Sequence, residues 1–174
     1  MGGMVGVIPT DTVYGLAARA SDESAVKKMY GLKNREKKPG TLIAANIQQL
    51  LDLGVSQGDI DQISMYWPGP VSAVLTLHSS GYLHQEVGTL AMRVVDDENL
   101  VKILETTGPL ITSSANQPAQ PPATTIDEAY VYFGDSVDFY VDGGVIDNVQ
   151  PSTIVRPTTD GLEILRQGAV EISN

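Results

Sequence analysis

Residues 4–16 read MVGVIPTDTVYGL, an apolar run that passes directly into a polar turn. The run from Met4 to Ile8 predicts a buried strand that Pro9 ends, because proline offers no backbone N–H to a sheet. The polar side chains at 10–12 therefore follow the end of a buried strand, a common place for ligands in α/β sheets. A simple proline–aspartate turn, whose hydroxyls cap the backbone, is the alternative.

Helices and strands alternate along the rest of the chain. The predicted helices begin at capping side chains, which are Ser21 or Asp22, Asn46, Ser56, Asp96 and Thr125. We expect the helix from Ser56 to reach Trp67. The remaining predicted strands cover 41–45, 71–77, 89–95, 110–112, 139–141, 153–155 and 162–165. About seven strands and five helices therefore interleave in a layered α/β fold (α+β in some schemes) with a mixed sheet.

Length and composition favour one globular domain over 1–174. Of the 174 residues 42% are hydrophobic, which argues against disorder. The chain has no cysteine, which excludes a disulfide framework, a thiol nucleophile and a thiolate metal site. No apolar run approaches the roughly 20 residues of a membrane span, and the first residues lack the basic start of a signal peptide. We therefore expect a cytoplasmic protein with no membrane contact.

Charge is distributed unevenly along the sequence. The formal net charge is −10, yet six of the eleven Lys and Arg residues lie between Lys27 and Lys38. An acidic body repels polyanions, so the composition disfavours direct binding of nucleic acid. The basic segment suits a small anionic ligand, and a solvated helix end and loop is the alternative.

Short catalytic motifs are absent from the sequence. It contains neither G-x-x-x-x-G-K-[ST] nor G-x-G-x-x-G, and neither H-E-x-x-H nor G-x-S-x-G. Residues 78–88 are predicted to form a polar loop. We expect His78 and His84 to be solvated there rather than to bind zinc.

Charged and hydroxyl side chains near the ends of elements are the candidates for binding. Lys33 and Arg35 begin the basic loop and together match a phosphate or a carboxylate. Arg93 interrupts an apolar strand, so it must meet an acid, a ligand or the rim of the sheet. Residues 113–116 offer hydroxyl and amide groups to phosphate or ribose oxygens, with a serine–asparagine turn as the alternative. The weaker candidates, at the ends of late strands, are Ser152, Thr153 and Arg166.

These candidates belong to an ordered set of motifs. In chain order the set is PTDTVYGL at 9–16, Lys33-x-Arg35, WPGP at 67–70, Arg93, SAN at 114–116, Ser152-Thr153 and LRQGA at 165–169. Each motif alone is weakly specific, but the ordered set over about residues 2–170 resembles the Sua5/YrdC/TsaC family, the L-threonylcarbamoyladenylate synthases. The resemblance implies the YrdC/RibB-like fold, a twisted mixed sheet flanked by helices, with a concave and positively charged cleft.

The resemblance also implies a reaction, which would make the protein a nucleotidyltransferase. Enzymes of this family combine L-threonine, bicarbonate or CO₂, and ATP into threonylcarbamoyl-AMP and release pyrophosphate. Mg²⁺ would accompany ATP and hold the leaving pyrophosphate, with no metal ligand expected from protein side chains. A separate tRNA threonylcarbamoyl transferase complex would then use the product to modify adenosine 37 of tRNA.

The family pattern implies roles for individual residues. Lys33 and Arg35 would be the catalytic pair, because they offset the repulsion between the carbamate and the α-phosphate. The residues implied for the nucleotide are Lys33, Arg35, Ser114, Asn116 and Arg166. The residues implied for threonine or its carbamate are Thr10, Thr12, Arg93 and Ser152.

The sequence departs from the family pattern at several points. Residues 117–119 read QPA, where a small or polar residue and then Ser-Gly usually follow. Ser72 stands where the family usually has Thr after WPGP-x, and this change keeps the hydroxyl. The chain begins almost at its first strand, where family members usually carry a helix first, so we expect a short form or a truncated one. Its 174 residues leave no room for the C-terminal domain of longer relatives.

Two alternative functions stay open. One is a non-catalytic RNA-binding module with the same fold, associated with translation, for which direct binding of tRNA or double-stranded RNA is disfavoured by a pI of about 4.4. The other is carbamoyl-adenylate chemistry, as in the YrdC-like domain of hydrogenase maturation proteins. Dependence on threonine would separate the second alternative from the synthase.

Overall fold

A mixed β-sheet runs through the structure, a computed structural model that describes residues 3–34, 37–147 and 149–172. Within these residues the sheet has nine strands: β1 Val5–Ile8, β2 Gly15–Arg19, β3 Thr41–Ala44, β4 Val71–Thr76, β5 Thr89–Val94, β6 Leu110–Ser114, β7 Phe139–Tyr140, β8 Thr153–Thr158 and β9 Gly161–Arg166. Their order across the sheet is β7-β1-β2-β6-β3-β5-β4-β8-β9. Neighbours pair antiparallel except β1 with β7, β3 with β5 and β4 with β8. The predicted mixed α/β sheet is confirmed, with more strands than expected.

Six α-helices occur among the described residues: α1 Glu23–Leu32, α2 Ile47–Asp52, α3 Gln57–Asp61, α4 Gly81–His84, α5 Glu98–Thr107 and α6 Ile126–Phe133. In five of them a side chain before the first turn accepts a hydrogen bond from a backbone N–H, and these caps are Asp22, Asn46, Ser56, Asp97 and Thr125. The predicted helix starts are confirmed, except that Asp97 rather than Asp96 caps α5. None of these helices is long and apolar enough to cross a membrane.

The helices cover the two faces of the sheet unequally. On the first face, apolar side chains of the strands form the main core together with α1, α2, α3, α4 and α6. On the second face a smaller cluster packs beneath Leu100 and Leu104 of α5, and its strand residues are Ile8, Ala17, Ile43 and Leu110. The second face continues past α5 with small and polar residues, and this part of the sheet carries a cavity.

The predicted strands leave out residues 15–19, where the structure has β2. Residues Gly15, Ala17 and Ala18 have weak strand propensity, so the segment gives no local signal. In the structure β2 pairs along its length with β1 on one side and β6 on the other. Two ladders of backbone hydrogen bonds therefore outweigh the local preference of the sequence.

The prediction of one helix from Ser56 to Trp67 is also wrong. Helix α3 ends at Asp61, and a separate 3₁₀ turn follows at Ser64–Tyr66. The residues Ile60, Ile63 and Trp67 are all buried. Their spacing of three and four residues imitates one face of a continuous helix, although the chain turns between them.

The expectation of a solvated loop at 78–88 is confirmed for His78 and wrong for His84. His78 is exposed, but His84 ends α4 and is buried. The Nδ1 atom of His84 accepts a hydrogen bond of 3.0 Å from the backbone N–H of Gly88. The neighbouring Leu83 is fully buried, so the apolar side chain draws this polar segment against the core.

Gly40 offers a test of how closely the strands approach. A Cβ atom at this position would lie 2.3 Å from the carbonyl oxygen of Thr112, a contact that only a shift of backbone can relieve. We expect Gly40→Ala to lower the free energy of unfolding by at least about 2 kcal/mol in urea denaturation.

Gly31 in α1 is the matched control, because a Cβ atom there would meet nothing within 4 Å. Gly31→Ala should raise stability by about 0.5–1 kcal/mol, since alanine loses less backbone entropy in a helix. Equal effects of the two substitutions would contradict the close approach at Gly40.

Candidate functional site

A polar cavity of about 180 Å³ lies on the part of the sheet that α5 leaves open. Seven residues that the sequence nominated meet in its lining, and they are Thr10, Thr12, Arg93, Ser113, Ser114, Ser152 and Arg166. Gly15, Gly40 and Ala91 line the floor, and because no large side chain stands at these positions there is space above the sheet. Two of the described lining residues are arginine and none is acidic, so the cavity suits an anion.

At least four larger hollows lie elsewhere on the described surface, and two of these exceed the others in volume. One, of about 680 Å³, lies beside α5 near Trp67 and Val101. The other, of about 850 Å³, lies between α1 and α4 near Lys37 and Tyr82. Neither brings the separate sequence motifs together, so size alone does not identify the site.

Arg93 lines the cavity and is paired with an acid, Asp11, that does not itself line it. The side chain is 4% exposed, and its Nε donates to Asp11 Oδ2 at 3.1 Å while its NH2 group donates to Asp11 Oδ1. A longer contact of 3.4 Å runs from the same NH2 group to Thr12 Oγ1. The acid expected from the sequence is therefore Asp11, and the NH1 group has no partner among the described residues.

The turn that carries Asp11 is stabilised by its own hydroxyls. Thr10 Oγ1 donates to the carbonyl of Val13 at 2.6 Å and accepts from the backbone N–H of Val13 at 3.2 Å. The next side chain of the motif, Tyr14, donates to the carbonyl of Gly144 at 2.8 Å. Burial raises the pKa of the Tyr14 phenol, which keeps it neutral in this role. The capping alternative is thus confirmed for Thr10. Thr10 and Thr12 both line the cavity as well.

Lys33 is buried rather than solvated. The residue is only 2% exposed, and its ammonium group donates to Ser114 O at 2.9 Å, Asn116 O at 2.5 Å and Asn116 Oδ1 at 2.7 Å. Ser114 Oγ donates to the same Asn116 Oδ1 at 2.6 Å. Lys33 therefore holds the SAN turn in place, and Ser114 is the member of the turn that lines the cavity. Arg35, its predicted companion, lies outside the described residues.

Arg166 and Ser152 form the opposite wall. Arg166 donates from Nε and NH2 to the carbonyl of Ser152 at 3.2 and 2.7 Å. Burial lowers the pKa of the Arg166 guanidinium, and the positive charge of Arg93 lowers it further. No acid pairs with Arg166 among the described residues. Partial burial and the nearby charge of Arg93 therefore destabilise the charged guanidinium, and an anion bound in the cavity would stabilise it.

Sequence reasoning gave no site role to two uncharged residues with hydroxyl groups, Thr112 and Ser72. Thr112, in the middle of β6, lines the cavity and donates to the carbonyl of Thr41 at 2.9 Å. Ser72 is fully buried behind Ser152. The available signal was a hydroxyl on the polar-facing side of an otherwise apolar strand. Within the described residues no three His, Asp or Glu side chains cluster so as to hold a metal.

Comparison with known proteins decides the family. A family model described as Sua5_yciO_yrdC, telomere recombination, matches residues 1–168. The chain belongs to the Sua5/YciO/YrdC family. A curated relative, the threonylcarbamoyl-AMP synthase of Idiomarina loihiensis, is 35% identical over 157 residues, which cover 86% of this chain and 84% of that protein.

Solved structures of the family have the same fold. The structure of P. abyssi Sua5 complexed with L-threonine matches with a TM-score of 0.84 and 29% identity, and the match covers 95% of this chain and 51% of that one. This chain thus spans about half the length of that relative. E. coli YciO matches with a TM-score of 0.84, 23% identity and coverage of 97% and 85%, which supports the Sua5/YciO/YrdC fold.

Because the ion pair between Arg93 and Asp11 is buried, we expect its loss to lower the stability of the protein. Asp11→Ala leaves the Arg93 guanidinium buried without its acid, and we expect a loss of about 3 kcal/mol in the free energy of unfolding. The matched control is Glu163→Ala, which breaks the half-exposed pair with Arg156. Because solvent screens that pair, its loss should cost less than about 1 kcal/mol. If chemical denaturation gave the same loss of unfolding free energy for both variants, the pair of Arg93 with Asp11 would be no stronger than a solvent-screened pair.

Proposed function

We propose that this protein is an L-threonylcarbamoyladenylate synthase, a nucleotidyltransferase that acts in the cytoplasm. The observation that carries the proposal is the convergence of six residues from five motifs on one cavity, whose described lining has two arginines and no acidic residue. The family membership and the names of the relatives support the same reaction. The substrates are L-threonine, bicarbonate or CO₂, and ATP.

The proposed chemistry has two steps that balance. The amine of threonine adds to CO₂ and loses a proton, which gives a carbamate. A carbamate oxygen then attacks the α-phosphorus of ATP, the bond from that phosphorus to the bridging oxygen breaks, and pyrophosphate leaves. The carbamate and the triphosphate are both anions, so their mutual repulsion raises the barrier. Fixed positive charge in a partly dry cavity lowers that barrier without reorganisation during the reaction.

The contacts of the cavity suggest where each substrate lies. Arg93, with its NH1 group unpaired among the described residues, would bind the carboxylate of threonine beside Thr12 and Ser152. Ser114, held by Lys33 and Asn116, would contact the nucleotide. Arg166, on the far wall, would meet the phosphates or the developing negative charge.

Lys33 then acts mainly through the turn that it holds. Three protein acceptors already engage its ammonium group, so its charge contributes to the potential of the cavity while its hydrogen bonds fix Ser114. Arg35, two residues further along the chain, is the proposed direct phosphate contact of the pair. Positioning of this kind is a recognised source of catalysis when two reactants must meet.

Mg²⁺ enters this proposal as part of the substrate MgATP. The described lining residues offer no carboxylate that would hold the cation. The phosphate oxygens of ATP are therefore its proposed ligands. The proposed consumer of the product is a separate transferase that modifies tRNA, since the net charge of −10 disfavours tRNA on this chain.

Pyrophosphate release tests the proposed function. The protein is incubated with MgATP and bicarbonate, with and without L-threonine, and with carbamoyl phosphate in a parallel reaction. We expect release only with threonine. Release with carbamoyl phosphate alone would instead indicate carbamoyl-adenylate chemistry, and salt-dependent RNA binding without any release would indicate a binding module.

Substitution of the basic pair tests the residue roles. Lys33→Ala and Arg35→Ala should each lower turnover by at least about tenfold, because each removes positive charge or order from the phosphate side. Lys27→Ala is the matched control, since Lys27 is exposed in α1, the helix that precedes Lys33, and pairs only with Glu23 among the described residues. Unchanged turnover in the first two variants would refute their role.

A further inference from the structure

Ser72 is a buried hydroxyl that does not itself line the cavity. It lies in β4, next to β8, and is fully buried. The alternate residues Val71, Ala73 and Leu75 belong to the main core, so Ser72 faces the opposite side of the sheet, where the cavity is. A hydroxyl at such a position carries a cost unless it is hydrogen-bonded.

The structure determines the direction of its hydrogen bond. Ser72 Oγ lies 2.9 Å from Ser152 Oγ, and no other partner of Ser72 Oγ occurs among the described residues. In a pair of hydroxyls one proton forms the bond and the other needs a separate acceptor. If Ser152 were the donor, the proton of Ser72 would be buried without an acceptor, which is unfavourable. Ser72 is therefore the donor and Ser152 the acceptor.

This direction leaves the proton of Ser152 for a ligand. Ser152 Oγ accepts from Ser72 and, at 3.4 Å, from the NH2 group of Arg166. Both of its lone pairs are then engaged, and its own proton has no acceptor in the described part of the chain. Ser152 is 4% exposed and lines the cavity. Its O–H is thus a buried donor that only an occupant of the cavity can satisfy.

The backbone around Ser152 is held tightly enough for one rotation to matter. A Cβ atom on Gly168 would lie 2.2 Å from the carbonyl oxygen of Pro151, so the two segments are in direct contact. Arg166 binds the carbonyl of Ser152 at 2.7 Å. With the backbone fixed, the hydroxyl of Ser152 can still rotate about its Cβ–Oγ bond, and the hydrogen bond from Ser72 restricts that rotation.

We propose that Ser72 is a positioning residue that makes Ser152 an obligate hydrogen-bond donor to a negatively charged oxygen of the substrate. The proposal rests on the proposed function, in which that oxygen belongs to the carboxylate or the carbamate of threonine. Two donors that point at Ser152 Oγ polarise its O–H bond and strengthen the bond that it donates. Ser72→Ala would free the Ser152 hydroxyl to rotate and to act as an acceptor, and an acceptor repels an anion.

A double-mutant cycle tests this proposal. The variants are Ser72→Ala, Ser152→Ala and the double variant, with Ser72→Thr as the matched control that keeps the hydroxyl. The measured quantities are kcat and KM for threonine-dependent pyrophosphate release, the KM for ATP, and the melting temperature. We expect Ser72→Ala to lower kcat/KM for threonine about five- to tenfold, the effect of one hydrogen bond of ordinary strength.

The cycle separates positioning from a structural effect. Because Ser72 acts through Ser152, the double variant should be no worse than Ser152→Ala, and Ser72→Thr should remain within about twofold of the unsubstituted protein. A change in the KM for threonine would point to the carboxylate, and a change in kcat to the carbamate during attack. Three results would overturn the proposal. They are additive losses of kcat/KM in the double variant, a rise in the KM for ATP equal to that for L-threonine in Ser72→Ala, and Ser72→Thr being as impaired as Ser72→Ala.

Two controls keep the outcome clear. If Ser72→Ala does not accumulate as folded protein, Ser72→Cys takes its place, since a thiol fills the space but is a weak donor. If the unsubstituted protein releases no pyrophosphate with threonine, the proposed function itself fails. Threonine-dependent release together with an additive cycle refutes the role of Ser72 alone.

Discussion

A guanidinium buried in the middle of the sheet is the constraint on which the site depends. Arg93 in β5 pairs with Asp11, which lies in the turn between β1 and β2, on the far side of β6 and β3. Burial of this charge without its acid would be costly, so the turn is held over the open face of the sheet. The pair thereby links the first motif of the chain to the strand that crosses the floor of the cavity.

The charge of the cavity contrasts with that of the whole chain. The protein carries a net charge of −10, whereas the described lining of the cavity has two arginines and no acid. Asp11 neutralises Arg93, while Arg166 has no acidic partner among the described residues. The cavity attracts a small anion locally, whereas the net charge of the whole chain disfavours a long polyanion. Under the proposed function, this contrast would let the protein bind a nucleotide in the cavity while another protein binds the tRNA.

Hydroxyl side chains supply the remaining polarity without adding charge. Thr10 caps its own turn, Ser114 joins the network of Lys33 and Asn116, and Ser152 is held between Ser72 and Arg166. Each of these hydroxyls is oriented by a hydrogen bond to a neighbouring group. Orientation before binding reduces the entropy that a ligand must lose to form its hydrogen bonds.

The sequence by itself determined the helix starts, most strands and the motifs that meet in the cavity. Capping side chains such as Asn46 and the alternating apolar residues of β4 act on residues close to them in the sequence, so the sequence pattern alone predicts them. The ordered motifs likewise identified the family. Tertiary structure alone decided the existence of β2, the break after α3, the burial of His84 and the pairing of Arg93 with Asp11. Each of these depends on partners distant in sequence, and local propensity carries no information about distant partners.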